Sequence, residues 1–167
     1  MIATLILAAA AAAATPKSGP CDGVKNPPLC RELLDVYDRD QTAHAKSTKP
    51  KQAEKIEASD LARVQAIINS FGWPGKSLVG EKASAVAWTV IQHADLATQK
   101  LWLDTMTKAV DAKELSPALL ARTIDLIAVR EGRPQTYGTQ PNAPIDDEEH
   151  VDDRRAKVGL PPLRPAA

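Results

Sequence analysis

Ser116-Pro117-Ala118-Leu119-Leu120-Ala121-Arg122-Thr123-Ile124-Asp125-Leu126-Ile127-Ala128-Val129-Arg130-Glu131-Gly132 is the stretch on which the fold turns. Serine followed by proline supplies an N-cap and then a first-turn residue whose missing N–H costs the helix nothing. Gly132 is placed to end the helix, and Pro134 prevents its continuation. Between these signals Leu119, Leu120, Ile124, Leu126, Ile127 and Val129 lie around most of the helix rather than along one stripe. A helix that is apolar on most sides is surrounded by protein. The reading is therefore an all-α fold: a single compact domain of five or six helices around a central helix near 117–131.

Working outward, Pro28 can open a first helix with Leu29, Leu33, Val36 and Tyr37 on one face, fading near Lys46. Residues 46–57, rich in lysine and holding Pro50, read as a solvated connection. A second helix is expected from a cap at Ser59 or Asp60, with Leu61, Val64, Ile67, Ile68 and Phe71 as its apolar stripe and Gly72 at its end. Trp73-Pro74-Gly75 makes a turn. A third helix starts near Gly80 or Glu81 and carries Ala85, Val86, Trp88, Val90 and Ile91. A fourth starts from Asp95 as N-cap. Residues 133–144 show no periodicity. A last short helix follows, with Asp146 and Glu149 spaced as in a capping box and Gly159 closing it before Pro161-Pro162.

The N-terminus adds a different kind of signal. Ile2 to Ala14 is apolar except for Thr4, too short to span a bilayer and followed by small residues, the pattern of a signal peptide. The organisation expected is signal peptide 1–14, linker 15–27, helical domain 28–163 and tail 164–167. Cys21 and Cys30 lie in a Gly- and Pro-containing segment. In an oxidising compartment they are expected to form a disulfide. Their spacing fits neither a redox pair nor a zinc knuckle. Periplasmic or secreted localisation follows, with no stable membrane insertion after processing. Of the 167 residues, 21 are Lys or Arg and 21 are Asp or Glu, so net charge draws the chain to neither nucleic acid nor an anionic membrane.

Chemistry is concentrated in three places. Trp88, Gln92, Asp95 and Gln99 are spaced four, three and four apart, so on continuous helix they share a stripe, with His93 beside it. Polar groups at the edge of a core need partners. Asp125 sits in the middle of the most apolar helix and needs a donor from elsewhere; Arg130, Tyr137, Gln140 and His93 are the candidates. Tyr137-Gly138-Thr139-Gln140 is an irregular loop directly after that helix, where function is often carried. The expected arrangement brings the end of the third helix, the central helix and this loop together, with His93 and Asp125 in one polar network. His93 and Asp125 are then the candidate acid–base pair of a hydrolase. Gln92, Asp95, Gln99, Tyr137, Thr139 and Gln140 are the candidate ligand-binding residues.

No metal or cofactor is assigned. The three histidines lack the close paired spacing of a zinc site, and His44 and His150 read as residues of polar helix faces. A set of His93, Asp95 and Asp125 offers three ligands but is not the preferred reading. Gly75-Lys76-Ser77 resembles the end of a phosphate-binding loop, yet Ser70 stands where that loop needs glycine and a helix precedes it.

Trp73-Pro74, Val79-Gly80, Gln92-His93-Ala94-Asp95, Gln99, Asp125, Glu131-Gly132, Gln135 and Tyr137-Gly138-Thr139-Gln140 together resemble the signature of a bacterial domain family of unknown function, over about residues 29–163. The tail Asp152-Asp153-Arg154-Arg155-Ala156 with Gly159-Leu160-Pro161-Pro162-Leu163 resembles its ending. The family often has an arginine soon after the Asp-Gln of its first helix, where this chain has His44 after Asp40-Gln41. It often has arginine after the central aspartate, where this chain has Leu126. The resemblance implies a fold and a site location but no activity. The leading functional expectation is a ligand- or partner-binding module of the cell envelope, its partner an unknown small molecule or envelope protein. The alternatives are the hydrolase and a scaffold without a small-molecule site.

Overall fold

The computed structural model describes residues 19–163. The expected signal peptide, residues 15–18 of the linker and the tail 164–167 lie outside the described residues. The fold is all-α. In chain order come α1 (Pro27–Ala43), α2 (Pro50–Phe71), α3 (Lys76–Val79), α4 (Glu81–His93), α5 (Leu96–Asp111), α6 (Pro117–Arg130), a 3-10 turn (Glu148–His150) and α7 (Val151–Lys157). Among the described residues the only extended pairing is a single bridge between Gln135 and Ile145. No helix among them is long and apolar enough to cross a membrane.

Packing explains the arrangement. Leu29, Leu33, Val36 and Ala43 form the buried stripe of α1, which packs against α2 and α4. Ala83, Val86, Ala87, Val90 and Ile91 of α4 enter the same core. Thus α4 contacts α1, α2, α3 and α5, and α5 in turn packs along α6. The α6 helix packs chiefly along α5, its first turns reach the core beside Trp88 of α4, and the irregular C-terminal segment folds back along it.

One boundary differs from the sequence reading. The stretch 50–57, expected as a solvated connection, is the first part of α2, which begins at Pro50 rather than at Ser59 or Asp60. Lys, Gln, Glu and Ala are all good helix formers, and Pro50 occupies a first-turn position that tolerates it. Asp60 is no cap: it is 1 % exposed in mid-helix, and Arg39 of α1 donates to its Oδ1 at 2.8 Å. The last helix departs too, since Asp147 with φ 45° precedes the 3-10 turn and no side chain caps it.

Residues 19–26 lie against the helices. Cys21 is 4 % and Cys30 0 % exposed, and they form a disulfide. Asn26 caps α1 by accepting from Leu29 N–H at 3.1 Å, while its own N–H donates to Leu78 O at 2.8 Å. The bridge closes a loop of sequence separation 9. Cross-linking a loop that short restricts the unfolded chain by about 2–3 kcal/mol. The paired Cys21→Ser, Cys30→Ser variant is therefore expected to unfold at lower urea; an unshifted midpoint contradicts this.

Candidate functional site

The structure divides the residues singled out from sequence into two groups. Asp125 belongs to the first. It is 0 % exposed, and its carboxylate accepts four hydrogen bonds from the loop after α6. Thr136 N–H and Tyr137 N–H donate to Oδ1 at 2.8 and 2.9 Å. Thr139 N–H and Thr139 Oγ1 donate to Oδ2 at 2.9 and 2.8 Å. The donor expected from another segment is the 136–139 loop, chiefly its backbone. Tyr137 participates through its main chain: its N–H binds Asp125 and its carbonyl accepts from Arg155 Nη1 at 2.7 Å.

The rest of the loop is equally self-contained. Gln135, 1 % exposed, donates through Nε2 to Gln140 O and Ala143 O at 2.8 and 2.9 Å, and its Oε1 accepts from Gln140 N–H at 2.8 Å. Gly138 has φ 66°, a left-handed conformation that favours glycine, and a Cβ there would press on the side-chain ends of Leu163 and Ile145. Asp125, Gln135, Thr139 and Arg155 thus tie the C-terminal segment to α6. Every polar group named here points at the protein itself.

Gln92, Gln99 and Asp95 secure the junction of α4 with α5 and α6. Gln99, 0 % exposed, donates to Gln92 O at 2.8 Å, satisfying a carbonyl left over at the C-terminus of α4. Gln92 Oε1 accepts from Thr123 Oγ1 at 3.2 Å, and Trp88 Nε1 donates to Leu119 O and Thr123 Oγ1, both at 3.0 Å. Asp95 caps α5 by accepting from Thr98 N–H at 2.7 Å. That backbone bond holds the Asp95 carboxyl below the usual aspartate range.

His93 stands apart from all of these. The expected pairing with Asp125 does not form, because the last turn of α4 faces α1 and α2 there, whereas Asp125 faces the 136–139 loop. His93 Nδ1 instead lies 3.1 Å from Asp40 Oδ1 and 2.9 Å from His44 Nε2. Asp40 is buried, its side chain 3 % exposed, while His93 and His44 remain 37 % and 41 % exposed. The hydrogen bond to Asp40 raises the His93 pKa above its ordinary value; partial burial opposes this, and the charges of Asp40 and Glu57 reinforce it. Glu57 of α2 approaches from the far side, its Oε1 3.9 Å from His44 Nδ1.

Asp40 and His93 of this cluster line a cleft of about 270 Å³ between α1, α2 and the end of α4, and His44 adjoins them both. Asp40, Glu54, Glu57 and Asp95 make its lining acidic, and Ala58, Leu61, Val90 and Ala94 give it aliphatic surface. Asp40, His44 and His93 are also the group in the described residues whose ligand atoms converge closely enough for a metal ion, all within 4.8 Å of one another. Sequence reading passed over Asp40 and His44 as site residues. A signal for Asp40 was present: Leu29, Leu33, Val36, Asp40 and Ala43 repeat at steps of four and three, so the aspartate falls in the apolar stripe of α1.

The sequence profile of a family of unknown function (DUF6624) matches residues 28–166. The chain belongs to this family. No curated protein and no solved structure matches the chain. The family assignment agrees with the resemblance drawn from the Gln-His-Ala-Asp and Tyr-Gly-Thr-Gln segments. Within the family's matched span, the structure gives the second of those segments a bracing role through Asp125 and leaves the first with the exposed His93.

Proposed function

We propose that this member of the family is an exported ligand-binding module of the cell envelope, and that its ligand enters the cleft between α1, α2 and the end of α4. The observation that carries this reading is the buried Asp40 carboxylate turned toward two imidazoles that stay more than a third exposed, His93 in the cleft wall and His44 beside it. A buried carboxylate that orients exposed histidines is a common construction of binding and catalytic sites. The acidic lining favours a ligand that carries positive charge, and the aliphatic patches favour one with some apolar surface. Export rests on the apolar run Ile2–Ala14 together with the Cys21–Cys30 disulfide, and periplasmic or secreted localisation follows from it.

The hydrolase reading keeps His93 but replaces its partner. Asp40 at 3.1 Å, not Asp125, would orient the imidazole, and Nε2 would be the atom left to exchange a proton with a bound molecule. A thermal-shift screen of small cationic compounds on the mature chain in EDTA tests the binding site. A ligand at about a hundred times its Kd adds about 2.7 kcal/mol to the apparent stability. Hits are expected to stabilise the wild type and to lose their effect in Ala58→Trp, which fills the cleft from an exposed position of α2. Hits that stabilise Ala58→Trp equally would place binding elsewhere.

A further inference from the structure

Three lone-pair-bearing atoms meet at the edge of the cleft, two of them on the lining residues Asp40 and His93 and the third on His44 beside them. His44 Nε2 and His93 Nδ1 are 2.9 Å apart, His93 Nδ1 and Asp40 Oδ1 are 3.1 Å apart, and His44 Nε2 and Asp40 Oδ1 are 3.6 Å apart. Hydrogen bonding alone serves this triangle poorly. An ionised carboxylate only accepts, and each imidazole nitrogen either donates or accepts. If His93 Nδ1–H donates to Asp40, it must share the same hydrogen with His44 Nε2. If His44 Nε2–H donates to His93 instead, the Nδ1 lone pair faces the carboxylate. One proton is left to serve atoms that a single cation would serve together.

The dimensions fit such a cation. A triangle with these edges has a circumradius of about 1.9 Å. Zinc–nitrogen and zinc–oxygen bonds of about 2.0–2.1 Å would place an ion about 0.8 Å above the plane of the three atoms, with no rearrangement of the helices. Two imidazoles and one carboxylate select a borderline transition ion over calcium or magnesium, which take oxygen ligands. Outside the triangle, Glu57 Oε1 lies 3.9 Å from His44 Nδ1, the place where a carboxylate orients a metal-bound histidine. The acidic lining of the adjoining cleft adds attraction for a cation.

We propose that Asp40 Oδ1, His44 Nε2 and His93 Nδ1 bind one divalent first-row transition ion of the zinc type, with a further coordination position toward the cleft. Asp40 comes from the last turn of α1, His44 from the residue that caps that helix, and His93 from the last turn of α4. The packing of α1 on α4 builds the site, and neither helix holds it alone. Three protein ligands with a position left over is the arrangement of zinc sites that take up water or a substrate atom. The inference deepens the reading of the cleft as the binding site and rests on it for the use of that remaining position.

The test is calorimetric titration of zinc into the mature, disulfide-intact chain after chelator treatment. One ion per chain is expected. His44→Ala and His93→Ala remove exposed side chains, so both should keep the wild-type circular dichroism. Loss of an outer partner alone typically weakens metal binding about 10- to 100-fold, so each of these variants should weaken zinc binding by about 100-fold or more. Glu57→Gln should weaken it by about tenfold. His150→Ala should leave it unchanged, because His150 pairs with Asp147 near the start of α7. A wild-type chain that takes up no zinc, or a His93→Ala variant that binds it as well as wild type, overturns the proposal. Ala58→Trp separates the two readings: loss of organic ligands with zinc retained supports both, whereas organic ligands bound without zinc uptake by the wild type leaves the cleft and removes the metal.

Discussion

Asp125→Ala is expected to lower the unfolding free energy by about 3–5 kcal/mol, and Asp125→Asn by about 1–3 kcal/mol. The carboxylate is fully buried, and its four bonds come from Thr136, Tyr137 and Thr139. Alanine leaves three backbone N–H groups without their acceptor. Asparagine keeps one oxygen, which can still accept from Thr136 and Tyr137. Its amide nitrogen then faces Thr139, whose hydroxyl can rotate to accept but whose N–H cannot. The two variants should therefore rank in that order. For a domain of this size about 1 kcal/mol corresponds to about 2–5 °C, so Asp125→Ala should unfold about 10 °C or more below wild type. Calorimetry of both variants checks this. A thermal midpoint close to wild type would contradict the bracing role and return Asp125 to the list of functional candidates.

Gln135→Leu is expected to cost about 2–4 kcal/mol. Leucine is similar in size and suits a buried position, so the loss isolates hydrogen bonding from packing. Three backbone groups lose their partner at once: the Gln140 N–H, the Gln140 carbonyl and the Ala143 carbonyl. The Gln140 side chain, by contrast, makes only a 3.3 Å bond to Thr139 Oγ1, so Gln140→Ala should cost much less. Urea unfolding of the two variants gives the comparison, and hydrogen exchange at the Gln140 amide should accelerate in Gln135→Leu. Equal stabilities for the two variants would show that the Gln135 amide does not hold the loop.

These effects bear on what the sequence could reveal. The all-α fold was legible because Ser116-Pro117, Gly132 and the apolar residues between them are strong local signals. The need of Asp125 for a donor from another segment was legible from its apolar surroundings. The identity of the donors was not, because backbone N–H groups carry no residue-type signature. The start of α2 was hidden for a related reason: lysine, glutamate and glutamine serve equally in a solvated helix face and in a loop. The candidate site was half legible. His93 stood out near the end of a core helix, but its partners Asp40 and His44 lie 53 and 49 residues away, and only the packing of α1 on α4 brings them together. Asp40 could have been found from its place in the apolar stripe of α1. His44 lies one turn further on and is exposed, so no apolar pattern marks it; its one signal is that it follows Asp40-Gln41 where the resembled family often has arginine.

Asp125 braces the C-terminal segment, and the proposed binding centre lies apart from it at Asp40, His44 and His93. An NMR titration of the isotope-labelled chain with a cationic fragment library tests that separation most directly. Perturbed amides are expected in residues 40–44, 54–61 and 90–95, around the cleft. The amides of 135–140 should stay unchanged. Perturbations centred on 135–140, with the cleft silent, would contradict the account.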